Sequence, residues 1–136
     1  MKSYILLTIA HNESAFIEKV ISSVKEQTHK PLLWLIIDDD SNDGTWDKIK
    51  NNSNNYKWIH CQRKTEEDRD SLMHWGKITS DSADEVVKLA KNLEYEWEYL
   101  GVLDADAIPE KSYFEKLSKK MNKETIGIGS GGLIQD

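Results

Sequence analysis

Cysteine, proline and long apolar runs are scarce in this sequence of 136 residues, which contains one Cys and two Pro. Cys61 has no partner for an internal disulfide, and its position after Trp58-Ile59-His60 favours a buried strand thiol over a nucleophile. No apolar run approaches the roughly 20 residues that span a bilayer. The run at residues 4–10 is too short for a secretory signal and lacks a cleavage site. We therefore expect a cytoplasmic protein without a membrane span, and peripheral membrane association stays open.

Positive charge is also in deficit, because 18 Lys and Arg face 24 Asp and Glu and the net charge is −6. A nucleic-acid-binding surface needs a basic face that displaces counterions from phosphates, so no nucleic-acid partner is expected. An acidic chain can still bind one phosphorylated small molecule if a metal cation neutralises both the protein carboxylates and the phosphates. The length suits one domain with a single core.

Apolar runs alternate with segments of helical period along the chain. The runs predict strands at residues 4–9, 32–37, 56–61, 99–103 and 126–128. The periodic segments predict helices around residues 16–24, 45–50, 82–93 and 113–121. This alternation indicates an α/β fold, with a mostly parallel sheet covered by helices on both faces.

Helix starts are predicted from side-chain oxygens that can cap the first turn. Asn12 or Ser14 has this role ahead of the first helix, and Ser82 with Glu85 has the spacing of a capping box ahead of the third. Residues 62–80 carry mixed charge without a clear period, so they are interpreted as a loop or an irregular insertion.

Polar clusters follow three of the predicted strands. In open parallel sheets ligands bind beyond the carboxyl ends of the strands, so these clusters are expected to converge at one edge. They comprise residues 11–13, 38–43 and 104–106.

Asp104-Ala105-Asp106 follows a buried strand. In an extended backbone residues i and i+2 point to the same side, so both carboxylates can face one cation. Hard oxygen ligands suit Mg²⁺ or Mn²⁺, which as a Lewis acid would stabilise a departing nucleoside diphosphate. The alternative is that these carboxylates merely cap the helix that starts near Pro109.

Asp38 and Asp39 also directly follow a buried strand, and their carboxylates could accept hydrogen bonds from a base N–H or from ribose hydroxyls. Turn formation and helix capping are the alternative, and they account fully for residues 40–43. His11 could stack on a base, although a solvated loop histidine is the more frequent case.

Basic residues between the third strand and the third helix could neutralise a diphosphate. They alternate with acidic residues, however, so a solvated face is the favoured interpretation. The four are Arg63, Lys64, Arg69 and Lys77.

Four motifs follow one another along the chain. The first two are Asn12-Glu13 after the first strand and Gln27-Thr28 at the end of the first helix. The other two are Asp-Asp-x-Ser-x-Asp-Gly-Thr at residues 38–45 and Asp-x-Asp at residues 104–106. Together they resemble the N-terminal half of family 2 glycosyltransferases. The resemblance covers nearly the whole chain apart from residues 62–80.

This resemblance implies a GT-A fold, a nucleoside-diphosphate sugar donor, inversion at the anomeric carbon, and Mn²⁺ or Mg²⁺ held by Asp106 and Asp104. Asp39, with Asp38 adjacent, would contact the base, and Asp104 would lie near the ribose. The residues implied for nucleotide binding are Ala10, His11, Asn12, Glu13, Asp38, Asp39, Lys77 and Asp104.

Residues 1–136 are then expected to form one donor-binding domain that ends before the acceptor-binding half. In inverting members the general base comes from that following half. We therefore expect the base beyond Asp136 and assign no catalytic residue here. The acceptor would be a saccharide or a lipid-linked molecule.

Two other functions stay open. One is a donor-binding module that is inactive alone or is completed by another chain. The other is a receiver-like phosphotransfer domain, in which strand-end aspartates bind Mg²⁺, but its acidic pair after the first strand and its lysine after the fifth are missing.

Overall fold

Four parallel strands and four helices alternate in the computed structural model, which describes residues 1–65, 69 and 71–123. The strands are β1 (Tyr4–Ala10), β2 (Leu33–Asp39), β3 (Ile59–Lys64) and β4 (Tyr99–Val102). The helices are α1 (Ile17–Lys25), α2 (Thr45–Asn55), α3 (His74–Asn92) and α4 (Tyr113–Lys123). The strand order is β3-β2-β1-β4, so β1 and β2 lie in the middle of the sheet.

Every residue of β1 and β2 is buried, which explains why both appear in the sequence as continuous apolar runs. One face of the sheet packs against α1, α2 and α4 through a cluster that includes Tyr4, Leu6 and Trp34. The other face packs against α3, where Leu7 and Leu35 meet residues such as Val86. Helices on both faces of a parallel sheet confirm the predicted α/β class. No helix in the described ranges is long and apolar enough to cross a membrane.

The prediction of a loop over residues 62–80 is wrong at both ends. β3 continues to Lys64 because it pairs with β2, where Asp39 lies opposite Lys64. α3 begins at His74 rather than at Ser82, and its buried positions recur every four residues: His74, Ile78, Ser82, Val86 and Ala90. Two polar residues in this stripe conceal its helical period in the sequence. Ser82 is therefore buried in mid-helix and caps nothing.

The predicted cap of the first helix is also wrong. α1 begins after Phe16, and no side chain caps it. Asn12 and Ser14 instead bond to the segment that follows β2: Asn12 Oδ1 accepts the Asn42 N–H, and the Ser14 N–H donates to Asp43. The predicted strand at residues 126–128 lies outside the described residues.

Candidate functional site

The carboxyl ends of β1, β2 and β4 meet at one edge of the sheet. Ala10, the last residue of β1, pairs with Asp38 of β2. On the other side of β1, the Leu103 N–H donates to the Leu7 carbonyl at 2.9 Å. The three predicted polar clusters, residues 11–13, 38–43 and 104–106, therefore follow neighbouring strands, with the β1 cluster in the centre.

Asp38 is fully buried and is held by Arg63. Its Oδ2 lies 3.3 Å from the Arg63 Nε and accepts the Ser41 N–H at 3.2 Å. Arg63 also donates from Nη2 to the Ser41 carbonyl at 2.6 Å. One guanidinium on β3 therefore ties the Asp38 carboxylate to the turn that follows β2. Only the carboxylate of this ion pair is buried, since the Arg63 side chain is 40% exposed, and the hydrogen bonds offset part of the desolvation cost of the carboxylate.

Asp39 is 1% exposed and receives two donors on the same oxygen. His74 Nε2 lies 2.8 Å from Asp39 Oδ2, and Arg69 Nη2 lies 3.2 Å from it. His74 is the first residue of α3 and is itself 8% exposed. The end of β2 is therefore joined to the start of α3 by a buried polar contact.

One oxygen of each of these aspartates is left over. Oδ1 of Asp38 and Oδ1 of Asp39 are buried and have no hydrogen-bond partner within the described part of the chain. A buried acceptor without a partner costs about 1–3 kcal/mol. Such atoms are rare in native proteins, and a functional role is one of the few explanations for them. Both oxygens are acceptors to which no described protein group donates.

The segment after β1 is fastened to the end of β2 through His11 and Asn12. His11 Nδ1 lies 2.7 Å from the Asp39 carbonyl, and Asn12 Nδ2 lies 3.2 Å from His11 Nε2. A neutral ring that carries its proton on Nδ1 satisfies both contacts, because Nδ1–H donates and Nε2 accepts. Asn12 has a positive φ of 51°, and its N–H donates to the Ser41 hydroxyl. His11 is thus held by the protein rather than simply solvated.

Glu13 belongs to the same network. Its N–H donates to the Thr45 hydroxyl at 3.0 Å, and that hydroxyl donates to the Asp43 carboxylate. The hydrogen bond from Thr45 lowers the pKa of Asp43. Between them Gly44 has φ +93°, a left-handed conformation that a residue with a Cβ rarely adopts. The Asp-Gly-Thr part of the motif therefore shapes the turn that receives the segment after β1.

Asp104 and Asp106 are exposed, in contrast to Asp38 and Asp39. They alternate with the buried residues Leu103, Ala105 and Ala107, so both carboxylates project away from the core. The Ala107 N–H donates to the Asp104 carbonyl at 3.1 Å and closes a turn around the pair. The pair therefore lies in a turn and not in the extended segment that the i, i+2 argument assumed, although both side chains are exposed.

Gln27 fixes the backbone that follows this turn. It is 1% exposed, its Nε2 donates to the Glu110 carbonyl at 2.6 Å and to the Ser23 carbonyl at 3.2 Å, and its Oε1 accepts the Phe114 N–H. The amide thereby joins the end of α1 to the start of α4. The Gln-Thr motif thus has a structural role behind the exposed carboxylates.

Glu13 and Asp106 face each other across the edge of the sheet. Burial raises the pKa of Glu13, and the charges of Asp106 and Asp43 raise it further, while His11 opposes them. The segment after β1 and the turn after β4 are therefore close enough for their carboxylates to repel each other. A cation between them would relieve this repulsion.

Asp104 and Asp106 fit a divalent metal of the kind that binds together with a phosphorylated substrate. Mg²⁺ in such sites takes one or two carboxylates, with the remaining positions filled by phosphate oxygens and water. Among the described residues no group of three His, Cys, Asp or Glu is arranged to hold a metal by itself. Metal binding by Asp104 and Asp106 therefore stays a prediction, and it would need ligands besides these two carboxylates.

The comparisons with known proteins agree with this geometry. Residues 6–69 match the family model described as Glycosyl transferase family 2. Over these residues, which are slightly less than half of the chain, the sequence is similar to that family. The matched segment runs from β1 to Arg69, so it includes Asp38, Asp39 and the segment after β1. No curated protein matches the chain.

Solved structures of similar fold include proteins from two organisms. S. aureus TarS has a TM-score of 0.63 at 14% identity, over 98% of this chain and 23% of TarS. TarS 1-349 in complex with UDP has a TM-score of 0.61 at 15% identity, over 98% of this chain and 38% of that one. The mannosyltransferase PcManGT from Pyrobaculum calidifontis, in complex with GDP-Man and Mn²⁺, has a TM-score of 0.51 at 19% identity. The match covers 79% of this chain and 28% of that one. At these identities the similarity shows the GT-A fold, and the chain spans less than two fifths of these proteins.

The roles of the three residues that hold the two buried aspartates were not predicted from the sequence. Arg63 and Arg69 were assigned to a solvated face, yet each pairs with a buried carboxylate. His74 lay in the supposed loop. The signal that could have found the two arginines is the need of Asp38 and Asp39 for positive partners once their strand is recognised as buried.

Lys77, the predicted phosphate contact, lies on α3 three residues after His74 and is exposed. Its helix starts at the same edge of the sheet as the carboxylates. The roles of the predicted nucleotide and metal residues stay predictions, while their convergence at this edge is a feature of the fold.

Proposed function

We propose that this chain provides the donor site of an inverting glycosyltransferase that uses a nucleoside-diphosphate sugar and Mn²⁺ or Mg²⁺. The observation that carries the proposal is the contrast at one sheet edge between two buried carboxylates with unpaired oxygens and two exposed carboxylates across β1. The first pair suits a base or a ribose, and the second suits a metal that is shared with a diphosphate.

The base would bind at the end of β2. Oδ1 of Asp39 can accept a ring N–H of a nucleobase, because an ionised carboxylate is acceptor-only. Uracil and guanine present such a ring N–H, whereas the corresponding ring nitrogen of cytosine or adenine is itself an acceptor. The segment from Ala10 to Glu13, held in place by His11, would form the neighbouring wall of the pocket.

The diphosphate would lie toward the end of β4. Asp106, with Asp104, would hold the metal, which when bound supplies Lewis-acid stabilisation of the leaving nucleoside diphosphate. Asp104 would also lie near the ribose, and Lys77 would contact a phosphate. Inversion needs a base that takes the proton of the acceptor hydroxyl, and we assign none of the described residues to that role.

Two of the structural neighbours support this choice of ligand class by what they hold. One TarS structure contains UDP-GlcNAc, and the mannosyltransferase structure contains GDP-Man and Mn²⁺. Because the chain spans only part of those proteins, we propose donor binding for these 136 residues and sugar transfer for them together with acceptor-binding residues. A saccharide or lipid-linked acceptor fits this proposal.

Calorimetric titration tests the donor site. UDP, GDP, CDP and ADP are titrated into the chain with Mn²⁺, with Mg²⁺ and with EDTA. We expect binding that depends on the metal, is stronger for UDP or GDP than for CDP or ADP, and loses its metal dependence in Asp106→Ala. The matched control is Asp84→Ala, which removes an exposed carboxylate from α3.

Two results would contradict the proposal in different ways. Equal affinity of Asp106→Ala and the parent chain in Mn²⁺ would remove the metal role. Failure of every nucleotide to bind the folded parent chain would remove the donor site altogether.

A further inference from the structure

His74 makes a contact that the proposed donor site does not by itself require. Its Nε2 lies 2.8 Å from Asp39 Oδ2, the oxygen that Arg69 also contacts at 3.2 Å. Both donors thus converge on one oxygen of the carboxylate, and Oδ1 is left buried without a partner in the described part of the chain. The asymmetry between the two oxygens is set by residues outside β2.

Two donors on Oδ2 fix the orientation of the carboxylate. Arg69 is 29% exposed at its side chain, so water competes for its guanidinium, whereas His74 is 8% exposed. The histidine contact is also the shorter of the two. His74 is therefore the better shielded of the two donors that hold Oδ2.

His74 is not needed to attach its helix. α3 packs on the sheet through Ile78, Val86 and Ala90, which lie in the core cluster with Leu7 and Leu35. These apolar contacts continue along the helix after His74. Loss of the histidine is therefore expected to affect the Asp39 carboxylate more than the position of α3.

We propose that His74 is a positioning residue for nucleobase recognition, which it serves by holding Oδ2 of Asp39 so that Oδ1 accepts the ring N–H of the donor base. The proposal rests on the proposed function, since it assigns the base contact to Asp39. It adds that discrimination between bases depends on a residue of α3 that lies 35 positions further along the chain and does not itself touch the nucleotide.

The test compares two substitutions of His74. His74→Gln places an amide N–H where Nε2 stood, and His74→Phe keeps the ring but removes the donor. Affinities for UDP and CDP are measured by calorimetry with Mg²⁺, and thermal melting checks that each variant is folded. His60→Phe, on β3, is the matched control because its half-buried ring makes no contact with Asp39.

We expect His74→Phe to weaken UDP binding by roughly tenfold or more, as befits loss of a hydrogen bond to a charged group. The ratio of UDP affinity to CDP affinity should fall with it, because a carboxylate that can rotate no longer presents one fixed acceptor. His74→Gln should restore both quantities to near the parent values, and His60→Phe should change neither.

Several outcomes would overturn the proposal. Parent-like affinity and parent-like selectivity in folded His74→Phe would do so, and so would a folded His74→Gln that is as impaired as the Phe variant. If His74→Phe does not fold, His74→Asn, whose amide is one bond shorter, replaces it, and equal binding by the Asn and Gln variants would then contradict the proposal. Absence of binding by the parent chain would instead refute the donor site itself.

Discussion

The ends of β2 and β4 lie on either side of β1, and the carboxylates at these two ends have opposite environments. At the end of β2, Asp38 and Asp39 are buried and each has an arginine partner. At the end of β4, Asp104 and Asp106 are exposed, and the charge of Asp106 helps to raise the pKa of Glu13, another carboxylate. The first pair has positive partners from the protein, whereas the second pair is the one that we propose to bind a metal cation.

The difference follows from what each group is proposed to bind. A base is recognised by fixed hydrogen bonds, which are most discriminating when the acceptor is held rigidly and shielded from water. A metal shared with a diphosphate arrives and leaves with the substrate, so its ligands need access to solvent. The two ends of the edge are therefore suited to specificity and to turnover, respectively.

The largest effect is expected for a substitution that removes contacts to the backbone after β4 and leaves the exposed carboxylates in place. Gln27→Met keeps the size of the side chain but removes three hydrogen bonds, two of which anchor the start of α4. Each such bond contributes about 1 kcal/mol, so the free energy of unfolding should fall by about 2–3 kcal/mol. Urea denaturation measures the change.

The matched control for this variant is Gln62→Met, since Gln62 is exposed on β3. It should leave the free energy of unfolding within about 0.5 kcal/mol of the parent value. Equal unfolding energies for the two variants would mean that the Gln27 contacts do not stabilise the fold.

A smaller effect is expected from the exposed carboxylates themselves. The double variant Asp104→Ala, Asp106→Ala removes two solvated groups and the repulsion of Glu13 by Asp106. Its free energy of unfolding should match that of the parent within about 0.5 kcal/mol, with any change being a gain. A loss well beyond this range in urea denaturation would show that these carboxylates stabilise the fold and are not reserved for a ligand.

The sequence predicted the centre of the sheet well and its periphery less well. β1 and β2 are buried along their whole length, so their apolar runs are unambiguous. β3 lies at an edge and ends in Gln62, Arg63 and Lys64, which conceal its last residues. The start of α3 was predicted too late because its buried stripe begins with the polar His74 and is interrupted by Ser82.

The residues of the candidate site were likewise predicted only in part. Its carboxylates follow strands directly, so strand-end reasoning placed Asp39 and Asp106 on one edge. The partners of the buried pair come from distant segments, and His74 is 35 residues from Asp39. No local pattern connects residues so far apart, since only the packing of α3 against the sheet brings them together.

The smallest effect concerns the electrostatic repulsion between the segment after β1 and the end of β4. Asp106→Asn should lower the pKa of Glu13 in the metal-free protein, since it removes one of the charges that raise it. Burial, the larger cause, persists in the variant, so the pKa of Glu13 should stay above its ordinary value. NMR titration of the Glu13 carboxyl measures the shift, with Asp104→Asn as the control that should leave this pKa nearly unchanged. An unaltered pKa in Asp106→Asn would mean that Glu13 does not sense the β4 end, and the two halves of the edge would then be electrostatically independent.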